Sequence, residues 1–143
     1  VSIWPLAVVR GDINSIRVGA RTNIQDGCVL HVTHASPFSN GGSPLVVGTD
    51  VTAGHQAVLH ACTVGNFCLI GIGAIVLDKA VIGDYVIVGA GSLVPGGKVL
   101  ESGHLYVGAP VKKVRPLTDD ERRMLEYSSN HYVRLKDRYR SGK

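Results

Sequence analysis

This sequence contains few cysteines and few aromatic residues, and a long central stretch carries no charged side chains. The three cysteines, Cys28, Cys62 and Cys68, are too few and too irregularly spaced for the disulfide framework of a small secreted domain. We expect small, buried, reduced thiols with no metal or redox role. Free thiols suit a reducing compartment, which favours a cytoplasmic protein.

Residues 51–77 carry no Asp, Glu, Lys or Arg, and hydropathy alone would suggest a membrane span. The stretch also contains His55, His60 and four glycines, and its apolar residues return every six positions. A lipid-facing helix needs neither feature, so we expect no membrane segment. Charge is concentrated in residues 112–143, which hold ten basic and five acidic side chains. The two signs alternate there without a nucleic-acid motif, which indicates a solvated helix face and no nucleic-acid partner.

Aromatic residues make up 6% of the 143 residues, whereas there are 18 glycines and 45% of the residues are hydrophobic. This composition excludes a core built on large rings and favours one domain with a narrow aliphatic interior.

Small aliphatic residues recur at a step of six, which is the period of neither a helix nor a strand. A fixed hexapeptide period predicts a parallel β-helix in which three short sides close one triangular turn. The repeat positions fall into four turns: Val18, Ile24, Leu30; Val47, Ala53, Leu59; Val64, Ile70, Val76; Ile82, Val88, Val94. The register is blurred over residues 1–9, which favours a first coil lying outside this sequence.

Two irregularities interrupt the repeat, and both lie beside histidines. Residues 32–46 form an insertion rich in Ser, Gly, Pro and Asn, and the side from Leu59 to Thr63 is one residue short. Such interruptions are where loops and sites are found in repeat folds.

The coil domain is predicted over residues 1–116, followed by one α-helix over 117–141 packed on the outside of the coil. Thr118 and Glu121 have the spacing of a capping box at its start. Met124, Tyr127 or Ser128, His131, Tyr132, Leu135 and Tyr139 recur at helical spacing and are expected to face the coil.

Three histidines lie in the repeat. His31 and His60 each follow the same corner position on consecutive turns, so the two imidazoles should stack roughly 4.8 Å apart, a spacing at which they can share a metal ion. The alternative is that they are polar corner residues with ordinary hydrogen-bond partners. His55 lies on the preceding side, with Asp26 in the equivalent place one turn away. We expect His55 to reach the ion of a neighbouring coil, which three coils around a threefold axis would allow.

The motifs resemble those of the γ-class carbonic anhydrase family over nearly the whole chain. The matching segments are Arg10-Gly11-Asp12, Asn23-Ile24-Gln25-Asp26, His31, Gly54-His55 with His60, and Tyr106-Val107-Gly108-Ala109-Pro110. The resemblance implies a left-handed β-helix and a homotrimer that binds Zn²⁺, or Fe²⁺ or Co²⁺, between its subunits.

The same resemblance implies roles for particular residues. His31, His55 and His60 would be the metal ligands, with Arg10, Asp12, Asp26 and Asn23 supporting the interface and the site. Gln25 would orient the metal-bound water, and Tyr106 would close the pocket.

Two departures point to the shorter bacterial branch of that family, in which hydratase activity is often weak. Ile13 and His34 stand where the archetype has glutamates, and residues 35–44 contain no acid. His34 is then the nearest side chain able to carry a proton at neutral pH.

The resulting hypothesis is a zinc-dependent lyase that hydrates CO2 to bicarbonate through a metal-bound water whose pKa is lowered toward about 7. Alternatives are a hexapeptide-repeat acyltransferase with a histidine general base, a metal-dependent CoA thioesterase, or a non-catalytic trimeric scaffold held by metal.

Overall fold

A computed structural model, which describes residues 1–142, shows a parallel β-helix of about six turns followed by one α-helix. The fold predicted from the hexapeptide period is therefore confirmed. Each turn contributes one short strand to each of three sheets, and equivalent strands of successive turns pair in parallel.

The first sheet ends in an antiparallel hairpin. Its strands are β1 (Ser2–Ile3), β4 (Asn23–Ile24), β7 (Thr52–Ala53), β10 (Leu69–Ile70), β13 (Ile87–Val88), β16 (His104–Gly108) and β17 (Val111–Pro116). The second sheet comprises β2 (Val8–Val9), β5 (Val29–His31), β8 (Val58–His60), β11 (Ile75–Val76) and β14 (Leu93–Val94). The third comprises β3 (Ile16–Val18), β6 (Leu45–Val47), β9 (Thr63–Val64), β12 (Val81–Ile82) and β15 (Val99–Leu100).

The repeat positions form the core. Ile24, Leu30, Ala53, Leu59 and Ile70 are fully buried, stacked in columns that follow the strand register. Residues 1–9, whose repeat was blurred, already provide sides of the coil, because β1 pairs with β4 and β2 with β5. Close stacking of the turns explains some of the glycines: a Cβ at Gly48 would lie 2.6 Å from the carbonyl oxygen of Gly65.

Helix α1 (Asp119–Ser141) packs on the outer face of the first sheet. Thr118 and Glu121 form the expected capping box, and Gly142 ends the helix in the left-handed conformation. At the foot of the coil, Leu125 of the helix and Leu117 pack against Ile87.

The side of the helix that faces the coil agrees with the expected one only in part, since Ser128 contacts Thr52, and Tyr132 and Tyr139 pack against Trp4. Met124, Tyr127 and His131 are exposed, whereas Leu125 and Ser129 are buried. Ser129 Oγ donates to Asp50 Oδ1 at 2.6 Å, so a small polar side chain brings this part of the helix close to the coil.

The insertion after β5 is a compact loop, closed where Thr33 pairs with Ser43 before β6 resumes the coil. At the shortened side, Ala61 adopts a φ of 49° and turns the chain directly from β8 toward β9.

The three cysteines are buried and unpaired, as expected. Burial raises the pKa of Cys28 and raises the pKa of Cys62 and Cys68 to about 12, so none is a ready thiolate. Among residues 1–142, no helix is long and apolar enough to cross a membrane.

Candidate metal centre

His31 and His60 meet at one edge of the second sheet. They are paired residues at the ends of β5 and β8, so parallel stacking of the two turns places one imidazole over the other. His31 Nδ1 lies 3.2 Å from His60 Nε2. The two rings are neighbours on successive turns, as predicted from the repeat, but they meet edge to face, with centroids 5.2 Å apart and planes at 64°. Their side chains are 15% and 31% exposed.

A carboxylate contacts the remaining ring nitrogen of each of these histidines. Asp12 Oδ1 lies 3.2 Å from His31 Nε2, and Asp78 Oδ1 lies 2.6 Å from His60 Nδ1. Because an ionised carboxylate only accepts hydrogen bonds, the contacted nitrogens carry the hydrogens. When both imidazoles are neutral, the two nitrogens that face each other carry no hydrogen, and a proton or a metal ion between them removes the repulsion of two lone pairs 3.2 Å apart.

This spacing also fits a shared metal ion. Two nitrogens at 2.0–2.1 Å from a tetrahedral ion are about 3.3–3.4 Å apart, close to the separation of His31 Nδ1 and His60 Nε2. A carboxylate behind each imidazole is the usual outer support of a metal-binding histidine. The residues present therefore fit the metal that the resemblance implies.

His55 lies at the opposite edge of the second sheet, in the turn between β7 and β8. Its Nδ1 is 3.0 Å from Asp26 Oδ2, and the side chain is 47% exposed. Within residues 1–142 of one chain, no three side chains of His, Cys, Asp or Glu converge on a common metal position. One chain thus presents a two-histidine half-site and, separately, a single histidine.

The outer face of the second sheet separates these two parts and is apolar along its whole length. Its outward residues are Val8, Val29, Val58, Ile75 and Leu93. Val8 is 48% exposed, and Val29 and Ile75 are each 39% exposed. No side chain of this ladder is polar, which is unusual for a solvated sheet face.

Arg10 and Asp12 support His31 from outside. Arg10 Nη1 donates to Asp12 Oδ2 at 2.6 Å, while the other oxygen of Asp12 contacts His31. The Arg10 hydrogen bond holds the pKa of Asp12 below its ordinary value, so this carboxyl stays an acceptor.

Gln25 and Asn23 lie near His55. Gln25 is 5% exposed and its Nε2 donates to Asn23 Oδ1 at 3.1 Å, and Asn23 donates to Thr52 Oγ1 at 3.0 Å. Gln25, His55 and Tyr132 line a cavity of about 460 Å³ beneath the helix. Gln25 is thus held rigidly next to the single histidine.

Two predicted residues are placed differently from the others. Tyr106 points into the core with 4% exposure, and its hydroxyl accepts a hydrogen bond from the Glu101 amide at 2.9 Å. Its strand is three turns along the first sheet from β7, so within one chain Tyr106 does not lie beside the histidines. His34 is exposed at the start of the insertion.

Sequence reasoning missed Asp78, which lies in the turn after β11. Besides His60, it contacts the hydroxyl of Thr33, which donates to Asp78 Oδ2. Partial burial opposes ionisation, but the hydrogen bonds from Thr33 and His60 outweigh it and lower the pKa of Asp78. Asp78 is the first acidic residue after the uncharged stretch that holds His55 and His60. Its position next to that stretch could have identified it from the sequence as a candidate partner of the histidines.

Residues 61–96 match the family of bacterial transferase hexapeptide repeats (six repeats). Over 139 residues the chain is 60% identical to protein YrdA of Escherichia coli, covering 97% of this chain and 76% of that protein. It is 43% identical over 140 residues to a carbonic anhydrase of Geobacillus kaustophilus, covering 98% of this chain and 73% of that protein.

Among solved structures, the chain is similar to a hexapeptide transferase family protein of Anaplasma phagocytophilum. The TM-score is 0.86 at 40% sequence identity, with 96% of this chain and 76% of that chain covered. Relatives of this one fold are thus named after two different chemistries, hydration of CO2 and group transfer.

Proposed function

We propose, from the premise that this chain belongs to the γ-class carbonic anhydrase-like family of hexapeptide-repeat proteins, that it hydrates CO2 to bicarbonate at a metal site shared between subunits of a homotrimer. The observation that carries the proposal is the pair of facing nitrogens, His31 Nδ1 and His60 Nε2, which lie 3.2 Å apart on rings that are each backed by a carboxylate.

The third ligand is His55 of a second copy. One chain keeps His55 at the far edge of the second sheet from His31 and His60, where its Nδ1 contacts Asp26. An apolar sheet face lies between the two edges, and we expect it to be buried against another chain. A threefold arrangement of identical chains supplies that cover and brings each single histidine to a neighbour's pair.

Three neutral imidazoles with room for one more ligand favour Zn²⁺, with Fe²⁺ or Co²⁺ as alternatives. When bound, such an ion supplies a Lewis acid that makes a water nucleophilic near neutral pH. The carboxylates of Asp12, Asp26 and Asp78 keep the imidazoles in the tautomers that leave one nitrogen free for the ion.

Gln25 is proposed to orient the reacting water, since Asn23 fixes its amide and it lies beside His55. Arg10, Asp12 and Asp26 are proposed to hold the ligands and the subunit contact. His34, exposed in the insertion, is proposed to pass the released proton to solvent, because imidazole exchanges protons near neutral pH. Tyr106 is given no role, because its hydroxyl is bound within the coil.

The test is CO2 hydration followed by stopped-flow with a pH indicator, together with metal analysis and native mass. Zinc-loaded protein should be a trimer with about one ion per chain. His55→Ala should lower kcat/KM at least about 100-fold, because it removes a ligand to the metal. His104→Ala, a histidine at the foot of the coil, should leave the rate unchanged. Equal hydration by wild type and His55→Ala would reject the hydratase.

The similarity to a hexapeptide transferase family protein keeps a second enzyme class open. An acyltransferase that uses a histidine as general base should keep its activity after treatment with a chelator, whereas the proposed hydratase and a metal-dependent CoA thioesterase should lose theirs. Hydrolysis of acetyl-CoA by zinc-loaded protein separates the last two. A metal-stabilised scaffold would bind the ion and turn over neither substrate.

A further inference from the structure

Asp78 is the one acidic side chain at the histidine pair that the family motifs do not include. It extends from the turn between β11 and β12, one coil turn below β8, which carries His60. Its two carboxylate oxygens have different partners: Oδ1 is 2.6 Å from His60 Nδ1, and Oδ2 accepts from the Thr33 hydroxyl.

The three carboxylate–histidine contacts differ in how firmly the carboxylate is held. Asp12 is held by Arg10, whose side chain is 57% exposed, and Asp26 is itself 49% exposed. Asp78 makes the shortest of the three histidine contacts and is held on its other side by Thr33, a residue of the insertion. Asn14 Nδ2 also donates to the Thr33 carbonyl at 3.1 Å, so Thr33 is itself fixed.

We propose that Asp78 is the positioning residue of His60: it fixes the ring with hydrogen on Nδ1 and the lone pair of Nε2 toward the metal, while Thr33 locks the carboxylate. This inference rests on the proposed metal site and assigns a residue that the family motifs leave out. It also gives the insertion a function, because the insertion supplies the hydroxyl that holds Asp78 in place.

A purely structural role for Asp78, joining the insertion to the coil, makes a different prediction. In that case loss of the Thr33 contact would matter as much as loss of the whole carboxylate. Thr33→Val is a nearly isosteric change that removes the hydroxyl and leaves the His60–Asp78 contact. Asp78→Ala removes both contacts, and Asp78→Asn keeps an oxygen able to accept from His60 Nδ1.

The experiment measures zinc affinity by competition with a chromophoric chelator and the tautomer of His60 in metal-free protein by long-range ¹H–¹⁵N NMR. Wild-type His60 should carry its hydrogen on Nδ1. Asp78→Ala should weaken zinc binding about 10- to 100-fold, the usual effect of losing a partner behind a ligand, and move the hydrogen toward Nε2. Asp78→Asn should retain the tautomer, and Thr33→Val should lower affinity far less than Asp78→Ala.

Three outcomes would overturn the proposal: a wild-type His60 with hydrogen on Nε2, an Asp78→Ala protein with unchanged affinity and tautomer, or equal losses in Thr33→Val and Asp78→Ala. If Asp78→Ala does not fold, the position of the His60 hydrogen in the wild-type spectrum still tests the proposal. Failure of this proposal can be distinguished from failure of the proposed function. Wild-type protein that does not bind zinc would reject the metal site. A change of the His60 tautomer in Asp78→Ala would still support the positioning role.

Discussion

Helix α1 covers the apolar outer face of the first sheet, whereas within residues 1–142 nothing covers the apolar outer face of the second. The third sheet also exposes Val81 and Val99, but Arg17 and Thr63 interrupt its apolar ladder. On the first sheet, Leu69, Ile87 and Leu105 lie beneath helix α1 and pack with Leu125. On the second sheet, Val29, Val58 and Ile75 have no such cover within residues 1–142. Substitutions on the first face should therefore change the stability of one chain, whereas substitutions on the second should change assembly and the site.

The largest effect is expected from a charge on the uncovered face. Val58→Asp should convert the trimer to monomers and reduce CO2 hydration at least about 100-fold, because an unpaired carboxylate would be buried between subunits. Sedimentation velocity and stopped-flow kinetics measure the two results.

Thr63→Asp is the matched control, since Thr63 points outward on the third sheet and is exposed. It should leave both mass and activity unchanged. A Val58→Asp protein that stays trimeric would show that the second sheet does not carry the subunit contact.

A smaller effect is expected on the covered face. Leu125→Ala should lower the free energy of unfolding by about 2–3 kcal/mol, at the low end for a buried leucine because the cluster under the helix is small. Urea denaturation measures the loss, and the native mass should stay that of a trimer.

Met124→Ala, one residue away and 45% exposed, controls for helix propensity and should change stability little. Equal losses in the two variants would mean that Leu125 does not anchor the helix.

The smallest expected effect is a change in the pH dependence of stability, and it comes from a charged pair at the start of helix α1. The Arg115 hydrogen bond, together with the Thr118 amide, lowers the pKa of Glu121 to about 2. A carboxyl with a depressed pKa stabilises the fold above its unfolded pKa, near 4.3, and this contribution is lost as the pH falls through the folded value.

Wild type should therefore be more stable than Glu121→Gln at about pH 4.5, and this difference in stability should disappear as the pH drops to about 2. Glutamine can still complete the capping box, so the comparison isolates the charge. Thermal unfolding of both proteins across that range measures the difference. A constant difference in melting temperature would mean that the ion pair with Arg115 contributes nothing.

The site was predictable as far as its residues lie at repeat positions. His31 and His60 were found because equivalent positions on successive turns must stack, and Asp26 was placed opposite His55 by the same step. Tyr106 was given a pocket role through the family resemblance, although it lies 18 residues after Val88 and so falls in the same inward column. The repeat thus predicts the burial of Tyr106.

Other features could not be read from the pattern because they depend on where side chains reach in space. Asp78 and Thr33 are 45 positions apart and meet only because the insertion folds back over the corner. The contact face of the helix likewise depends on the Ser129–Asp50 hydrogen bond, which helical periodicity does not encode.

The sequence by itself determined the coil, because a six-residue period of small aliphatic residues fits only a narrow, three-sided interior. It also determined that two histidines share a corner and that a third stands apart. Only the tertiary structure decided which nitrogen of each imidazole contacts a carboxylate, and which carboxylate that is. Those properties follow from distances of 2.6–3.2 Å between side chains, and a linear pattern does not specify contacts at that scale.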